Sequence, residues 1–390
     1  MLDIKLCIDR WESYVIEKRR EFHQIPEASL VEFKTCRKIM DELTAMGLNP
    51  RQLADTGVVA DITGAYPGKT VGLRADIDGL SVTEQTGVPY ASQHEGFMHA
   101  CGHDTHIAML LGAAQILNEL RGELHGSVRL IFEPGEEVAK GALKMIHAGA
   151  LEGVDTILGL HIWADVPAGK ISAEPGPRMA SADWITIDIQ GKSCHGGMPE
   201  QGVDAVVAGA AVVNSIQSIV SRETTPLEPI VVTLGEFYAG ERNNVVAGTA
   251  RLTGTVRTFN NDIRKEMPAI LERVIKSTAA AYRAEATLGY EWGNSPLTND
   301  PACATLAAKA VEKVLGCGAL YHYPQTTGGE NFAEYLNLVP GAFLFVGTGN
   351  PEKGAVHPQH SCYYTVDESV LINGSCVAAQ YAFDYLCEYS

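Results

Sequence analysis

Eight residues, His99–His106, hold three imidazoles, one thiol and one carboxylate just ahead of a long apolar helical pattern. Soft and borderline donors at that density suit a transition metal. Gly102 alone separates Cys101 from His103, and it lets the backbone turn so that both side chains can converge. Three more stretches carry donors. Leu130–Glu137 reads as a buried strand that runs into Pro134 and Gly135 and then into two adjacent carboxylates, Glu136 and Glu137. Neighbours at a strand end cannot point the same way, so one can bind a metal while the other faces a water. His161 stands at the end of an apolar strand, and His360 lies in the polar loop His357–Tyr364. Taken singly, each has a plainer reading: a core histidine, a carboxylate pair at a helix start, a surface loop residue. Their joint occurrence points to a metal site.

Ligands of open α/β sheets bind beyond the carboxyl ends of the strands, and the glutamate pair, His161 and Arg74–Asp78 all follow strands. The spacing of apolar residues predicts helices over Asp9–Gln24, Leu30–Met46, His106–Leu120 and Ala139–Ala150. Strands are predicted at Val58–Thr63, Thr70–Ile77, Ser127–Phe132 and Thr156–Ile162. Such alternation gives a mixed, mostly parallel sheet with helices on both faces. Near Met179 the pattern changes. Strand Trp184–Gln190, helix Val203–Ser221, strands Pro229–Phe237 and Thr249–Phe259, helix Asn261–Tyr282 and strand Glu285–Glu291 follow in the β-α-β-β-α-β order of a ferredoxin-like fold. Its sheet edges could pair with a second copy. After Trp292 the α/β pattern returns, with helices over Pro301–Val314 and Asn331–Tyr335, strand Gly341–Val346 and a long helix from about Val366. The expected organisation is therefore one α/β domain, residues 1–178 and 292–390, with a smaller α+β domain, 179–291, inserted into it.

The chain has 390 residues, 46% hydrophobic and 20% charged, and this suits a globular protein of two domains. Its net charge of −17 argues against nucleic-acid binding and against adsorption to anionic membranes. The N-terminal stretch lacks a signal-peptide pattern, and no apolar run is expected to span a membrane. Nine cysteines without a disulfide spacing suggest a reducing, cytoplasmic setting.

With these motifs on view, the chain resembles the amidohydrolase branch of the aminoacylase/carboxypeptidase metallopeptidase superfamily, which includes N-acyl-amino-acid amidohydrolases, hippurate hydrolase and auxin-conjugate hydrolases. The resemblance rests on Phe22–Glu27, Leu73–Gly79, His99–His106, Phe132–Glu137, Gly159–His161, Gly191–His195, Asn244–Val246, Gly254–Arg257, Gly329–Phe332 and His360–Ser361. It implies a zinc-peptidase-like catalytic domain, with the insert as a lid and homodimer interface. Two divalent ions are implied (zinc, manganese, nickel or cobalt), held by Cys101, His103, Glu137, His161 and His360. Glu136 matches the general base that works on a metal-activated water. His195 matches a lid histidine that polarises the scissile carbonyl of a neighbouring site. Asn244 and Arg257 match substrate-binding positions, and Asp76, Asp78 and Asp104 supporting groups that orient ligands. The implied reaction cleaves the amide bond of N-acyl amino acids, hippurate-like or N-acetyl. The alternatives are a carboxypeptidase or dipeptidase with the same metal chemistry, a metal-binding homologue without catalysis, and thiol catalysis by Cys101 with His103. The chain departs from the family pattern at Thr105, Glu133, Gly135, Cys194, Glu200 and Asn331; the last stands where an Asp is usual.

Overall fold

The computed structural model describes residues 4–389. The chain divides into two compact units. The first takes residues up to Arg178, then 298–324, then 331 onward. Its sheet has seven strands in the order Arg51–Leu53, Gly57–Thr63, His125–Glu133, Tyr66–Asp76, Thr156–Pro167, Gly341–Gly349, Ile171–Ser172. The middle four are mutually parallel, and the outer ones pair antiparallel. The sheet is therefore mixed with a parallel centre. The interior of each central strand is apolar on both faces, as a sheet covered by helices on both sides requires. Leu73, Val128, Leu130, Leu158, Leu344 and Val346 pack with helices His103–Glu119 and Leu371–Glu388 into one buried core.

The helix His103–Glu119 carries almost no polar face, and its start is set by Gly102. Gly102 has φ +88, and a Cβ there would lie 2.2 Å from Ile162 Cδ1. Left-handed backbone and close approach both demand glycine. The helix begins at His103, three residues earlier than periodicity predicts, because His103–His106 are polar yet fully enclosed.

The second unit takes Met179–Leu297 and Gln325–Glu330. Its antiparallel sheet runs Ile230–Ala239, Thr249–Thr258, Ala182–Gln190, Glu285–Asn294, with helices Ala205–Ser218 and Asn261–Ala281. In chain order this is the split β-α-β arrangement. Both helices start at side-chain caps, Asp204 and Asn260, that accept from the first free backbone N–H groups. Residues 325–330 join this unit because Ala180 donates to Thr326 O at 3.1 Å and Arg257 to Thr327 O at 3.2 Å. Ala205–Glu223 is long and apolar enough to cross a membrane by length and composition alone, a test that the core helix of a globular protein also passes. Alanine, glycine and valine make it so: Ala205, Ala208, Gly209, Val212 and Ile216 face the core of this unit. All nine cysteines are free thiols.

Candidate metal centre

Cys101, His103, Glu137, His161 and His360 come together within the first unit, from four separate stretches of chain. Donor atoms of Cys101, His103 and His161 lie within 4.8 Å of one another, as do those of Cys101, Glu137 and His360. The two groups share the Cys101 sulfur. His161 Nε2 is 3.5 Å from Cys101 Sγ, while His103 Nε2 and His360 Nε2 lie 3.8 and 3.6 Å from Glu137 Oε1. His360 adopts a left-handed backbone, φ +67, uncommon outside glycine, and its N–H donates to Ala100 O. That bond brings a distant loop alongside Cys101.

Hydrogen-bond partners fix which ring nitrogens are free. His161 Nδ1–H donates to Ile162 O at 2.6 Å, so Nε2 carries its lone pair toward Cys101. His103 Nδ1–H donates to Asp78 Oδ1 at 3.1 Å, leaving Nε2 as acceptor. A carboxylate behind a histidine is the usual support for a metal-ligating imidazole. His106 differs: Nε2 accepts from Ile162 N–H at 3.0 Å and Nδ1–H donates to Asp76 Oδ1. Both its nitrogens are used, so His106 braces the strand bearing His161 and does not ligate. His99 Nδ1–H donates to Asp78 O, and burial depresses its pKa to about 4, keeping it neutral.

Asp76 and Asp78 sit at and just beyond the end of a central strand, fully buried. Asp78 Oδ2 also accepts from Ser29 Oγ and from Glu137 N–H at 3.1 Å. Asp104, expected to orient a ligand, turns away toward Arg19 Nε and His23 Nδ1, each 2.8 Å distant. It ties the N-terminal helix Cys7–His23 to the first turn of His103–Glu119. Burial opposes its charge, yet Arg19 and His23 hold its carboxyl below the usual range.

The donor set fits a divalent cation. His103 Nε2 and Glu137 Oε1 are both buried without a hydrogen-bond partner, a costly state unless something positive lies between them. Burial and Glu137 push the Cys101 thiol well up, and burial raises Glu137. Burial opposes charge on His103, but Asp76, Cys101 and Asp78 outweigh it and hold its pKa high. A cation would displace these protons, so the site takes one up more readily as pH rises.

Glu136 is 8% exposed and lies with Glu137 in the turn that follows strand His125–Glu133, not at the strand end that the sequence suggested. Donor oxygens of both fall within 4.8 Å of each other and of a His103 nitrogen. Glu136 Oε1 accepts from Asn331 N–H at 3.3 Å. Arg74 was missed as a site residue by sequence reasoning. Its guanidinium donates to Asp76 Oδ2, Glu133 Oε2 and Asn331 Oδ1, at 2.7, 2.8 and 2.7 Å. The one available signal was an arginine inside an apolar strand, two residues before Asp76.

His195, Asn244 and Arg257 belong to the second unit. His195 pairs with Val245 in a two-residue ladder, which sets Asn244 beside it; Gly196 N–H donates to Asn244 O. Gly197 N–H donates to His195 Nδ1 at 2.9 Å, so the proton of the neutral ring sits on Nε2. Arg257 is half-buried, and burial lowers its pKa.

Comparison with known proteins agrees with this chemistry. A model of peptidase family M20/M25/M40 matches residues 72–384. N-acetyl-L-cysteine deacetylase of Bacillus subtilis is 39% identical over 365 residues, covering 93% of this chain and 86% of that protein. Thermostable carboxypeptidase 1 of Saccharolobus solfataricus is 34% identical over 379 residues, 96% of each. Among solved structures, a dinuclear metal binding peptidase of the M20 family from Bacillus subtilis superposes with a TM-score of 0.86 at 35% identity. It covers 98% of this chain and 100% of that one.

Proposed function

Because the chain belongs to peptidase family M20/M25/M40, whose members hydrolyse amide bonds, we propose that it removes the acyl group from N-acyl amino acids. The observation that carries this reading is the pair of donor groups sharing Cys101, with a second carboxylate, Glu136, whose oxygen lies within 4.8 Å of the His103 and Glu137 donors and accepts from Asn331 N–H. Cys101, His103, Glu137, His161 and His360 would hold two divalent ions; thiolate with imidazole favours zinc, nickel or cobalt, and the carboxylate admits manganese. When bound, such ions lower the pKa of water and polarise an amide carbonyl. Glu136 takes the proton of the attacking water and returns it to the leaving amine nitrogen. The Nε2–H of His195 donates to the oxygen on which charge develops. Arg257 makes a two-pronged contact to the free carboxylate of the amino acid, and Asn244 donates to the substrate carbonyl.

The second unit serves on this reading as a lid and homodimer interface. Ile230–Ala239 is an edge strand with Phe237 and Tyr238 41% and 65% exposed, and Val206 and Val207 are exposed on the neighbouring helix. An edge of that kind, left bare, invites pairing with another chain. The acidic, thiol-rich composition suits a cytoplasmic enzyme.

A panel of hippurate, N-acetyl amino acids and dipeptides on metal-reconstituted protein tests the reaction. Acyl amino acids should be the better substrates by at least about tenfold in kcat/KM, a difference of about 1.4 kcal/mol, and exhaustive chelation should abolish turnover. Preference for dipeptides would favour the carboxypeptidase reading, which the 34% identical carboxypeptidase supports. A metal-loaded protein inert to the whole panel would favour a non-catalytic role, and activity surviving chelation would favour thiol chemistry.

His195→Ala should lose most of its turnover while keeping its metal and its dimeric state. If the histidine serves the partner subunit's site, heterodimers of His195→Ala with Glu136→Gln regain activity. Heterodimers as inactive as their parents would overturn its action across the interface.

A further inference from the structure

We infer that Asn331 is a positioning residue: it transmits the buried Arg74 hub to Glu136 and so fixes where that carboxylate stands beside His103 and Glu137. This inference rests on the reading of Glu136 as the base and goes beyond it by naming what holds the base in place.

Glu136 and Glu137 are adjacent and chemically identical, so their division of labour must come from what grips each. Glu137 is gripped at its backbone, where its N–H donates to Asp78 Oδ2 at 3.1 Å, and its side chain faces His103 and His360. Glu136 is gripped at its carboxylate by the N–H of Asn331. A backbone N–H is only as well placed as the segment that bears it. That segment is anchored by the Asn331 side chain, wholly buried, whose Oδ1 accepts from Arg74 at 2.7 Å. The same guanidinium holds Asp76 and Glu133 at 2.7 and 2.8 Å, all three side chains inaccessible to solvent. Asp76 in turn lies 3.8 Å from His103 Nε2 and accepts from His106, which braces Ile162 beside His161. One planar cation thus references the ligand side and the base side of the centre to a single strand, Tyr66–Asp76. Arginine suits the task because its donors form a rigid fork.

Asn331 is the member that can be changed without leaving a charge unpaired. Asn331→Ala removes the oxygen that Arg74 holds and frees the segment; Asn331→Asp keeps an oxygen there; Asn331→Ser shortens the acceptor and gives a milder form of the same loss should the alanine variant fail to fold. On metal-reconstituted protein with an N-acetyl amino acid, Asn331→Ala should lower kcat by roughly 10- to 10²-fold, the cost of misplacing a reacting group by about 1 Å. KM should stay within about twofold, and metal per chain should not change. Asn331→Asp should regain most of the loss. In a Glu136→Gln background the alanine substitution should cost almost nothing more, because residues acting as one unit are not additive.

Unchanged kcat in Asn331→Ala, or in the serine variant where alanine does not fold, would overturn the inference. A loss that tracks metal content, or that is fully additive with Glu136→Gln, would also overturn it in favour of a merely structural role. Failure of the base reading looks different: Glu136→Gln itself would then remain active.

Discussion

Glu136→Gln loses at least about 10²-fold in kcat, the usual scale for deleting a general base, while binding metal as the parent does. The amide is nearly isosteric with the carboxylate and retains an oxygen for the N–H of Asn331, so the local packing survives. Cys101, His103, Glu137, His161 and His360 are untouched, and Glu137 remains held through its own N–H by Asp78. What disappears is the capacity to accept a proton from water. Metal analysis beside steady-state kinetics checks the prediction. Near-parental turnover with the metal in place would remove Glu136 from the reaction and leave the proton to another group.

Asp183→Ala destabilises the second unit by about 3–5 kcal/mol, the range for removing one member of a buried ion pair. Asp183 is inaccessible to solvent and accepts from Arg264 Nε and NH2 at 2.9 and 2.7 Å, from Tyr290 OH at 2.9 Å and from Gly293 N–H at 3.0 Å. Burial and this carboxylate push the Tyr290 hydroxyl up, keeping it a donor. Alanine would remove the acceptor for Arg264 Nε, Tyr290 OH and Gly293 N–H, leave Arg264 NH2 only its bond to Gly293 O, and leave the 7% exposed Arg264 charge without this counter-charge. Asp183→Asn keeps acceptor capacity but not the charge, so it should recover only part. Combining Asp183→Leu with Arg264→Met should recover more than either single variant, because the unpaired charge is then gone. Thermal unfolding should show the alanine variant's lowest transition falling by roughly 10 °C, taking about 2–4 °C per kcal/mol. A shift under about 2 °C would mean that water or another group compensates for the lost carboxylate.

The proposed positioning of Glu136 and the predicted stability of the second unit share one feature: each rests on a buried arginine whose partners are remote in sequence. Arg74 and Asn331 are 257 positions apart, and Arg264 and Asp183 are 81 apart. No periodicity announces such a pair. The metal-binding segment is the opposite case. Cys101, Gly102 and His103 are consecutive, and the glycine needed to turn them together is written between them.

By itself the sequence determined the alternation of strands and helices, the split β-α-β order of the second unit, and the residue types able to hold a metal. Those properties follow from local periodicity and donor chemistry, which neighbours in the chain decide. The expectation from sequence that Glu136 and Glu137 diverge as neighbours at a strand end did not hold, because the strand stops at Glu133 and both carboxylates lie in the turn beyond it, with oxygens within 4.8 Å of each other. The tertiary structure alone decided which of several histidines offer a free nitrogen. His103, His106 and His161 are alike as letters, and only the partners of their other nitrogens, Asp78, Asp76 with Ile162 N–H, and Ile162 O, separate ligand from brace. Tertiary structure likewise turned Asp104 from a supporting group at the centre into an anchor for the N-terminal helix, through Arg19 and His23. A buried polar atom must find a partner wherever the fold supplies one, and that partner's identity is a property of three-dimensional neighbours, which the order of residues along the chain does not state.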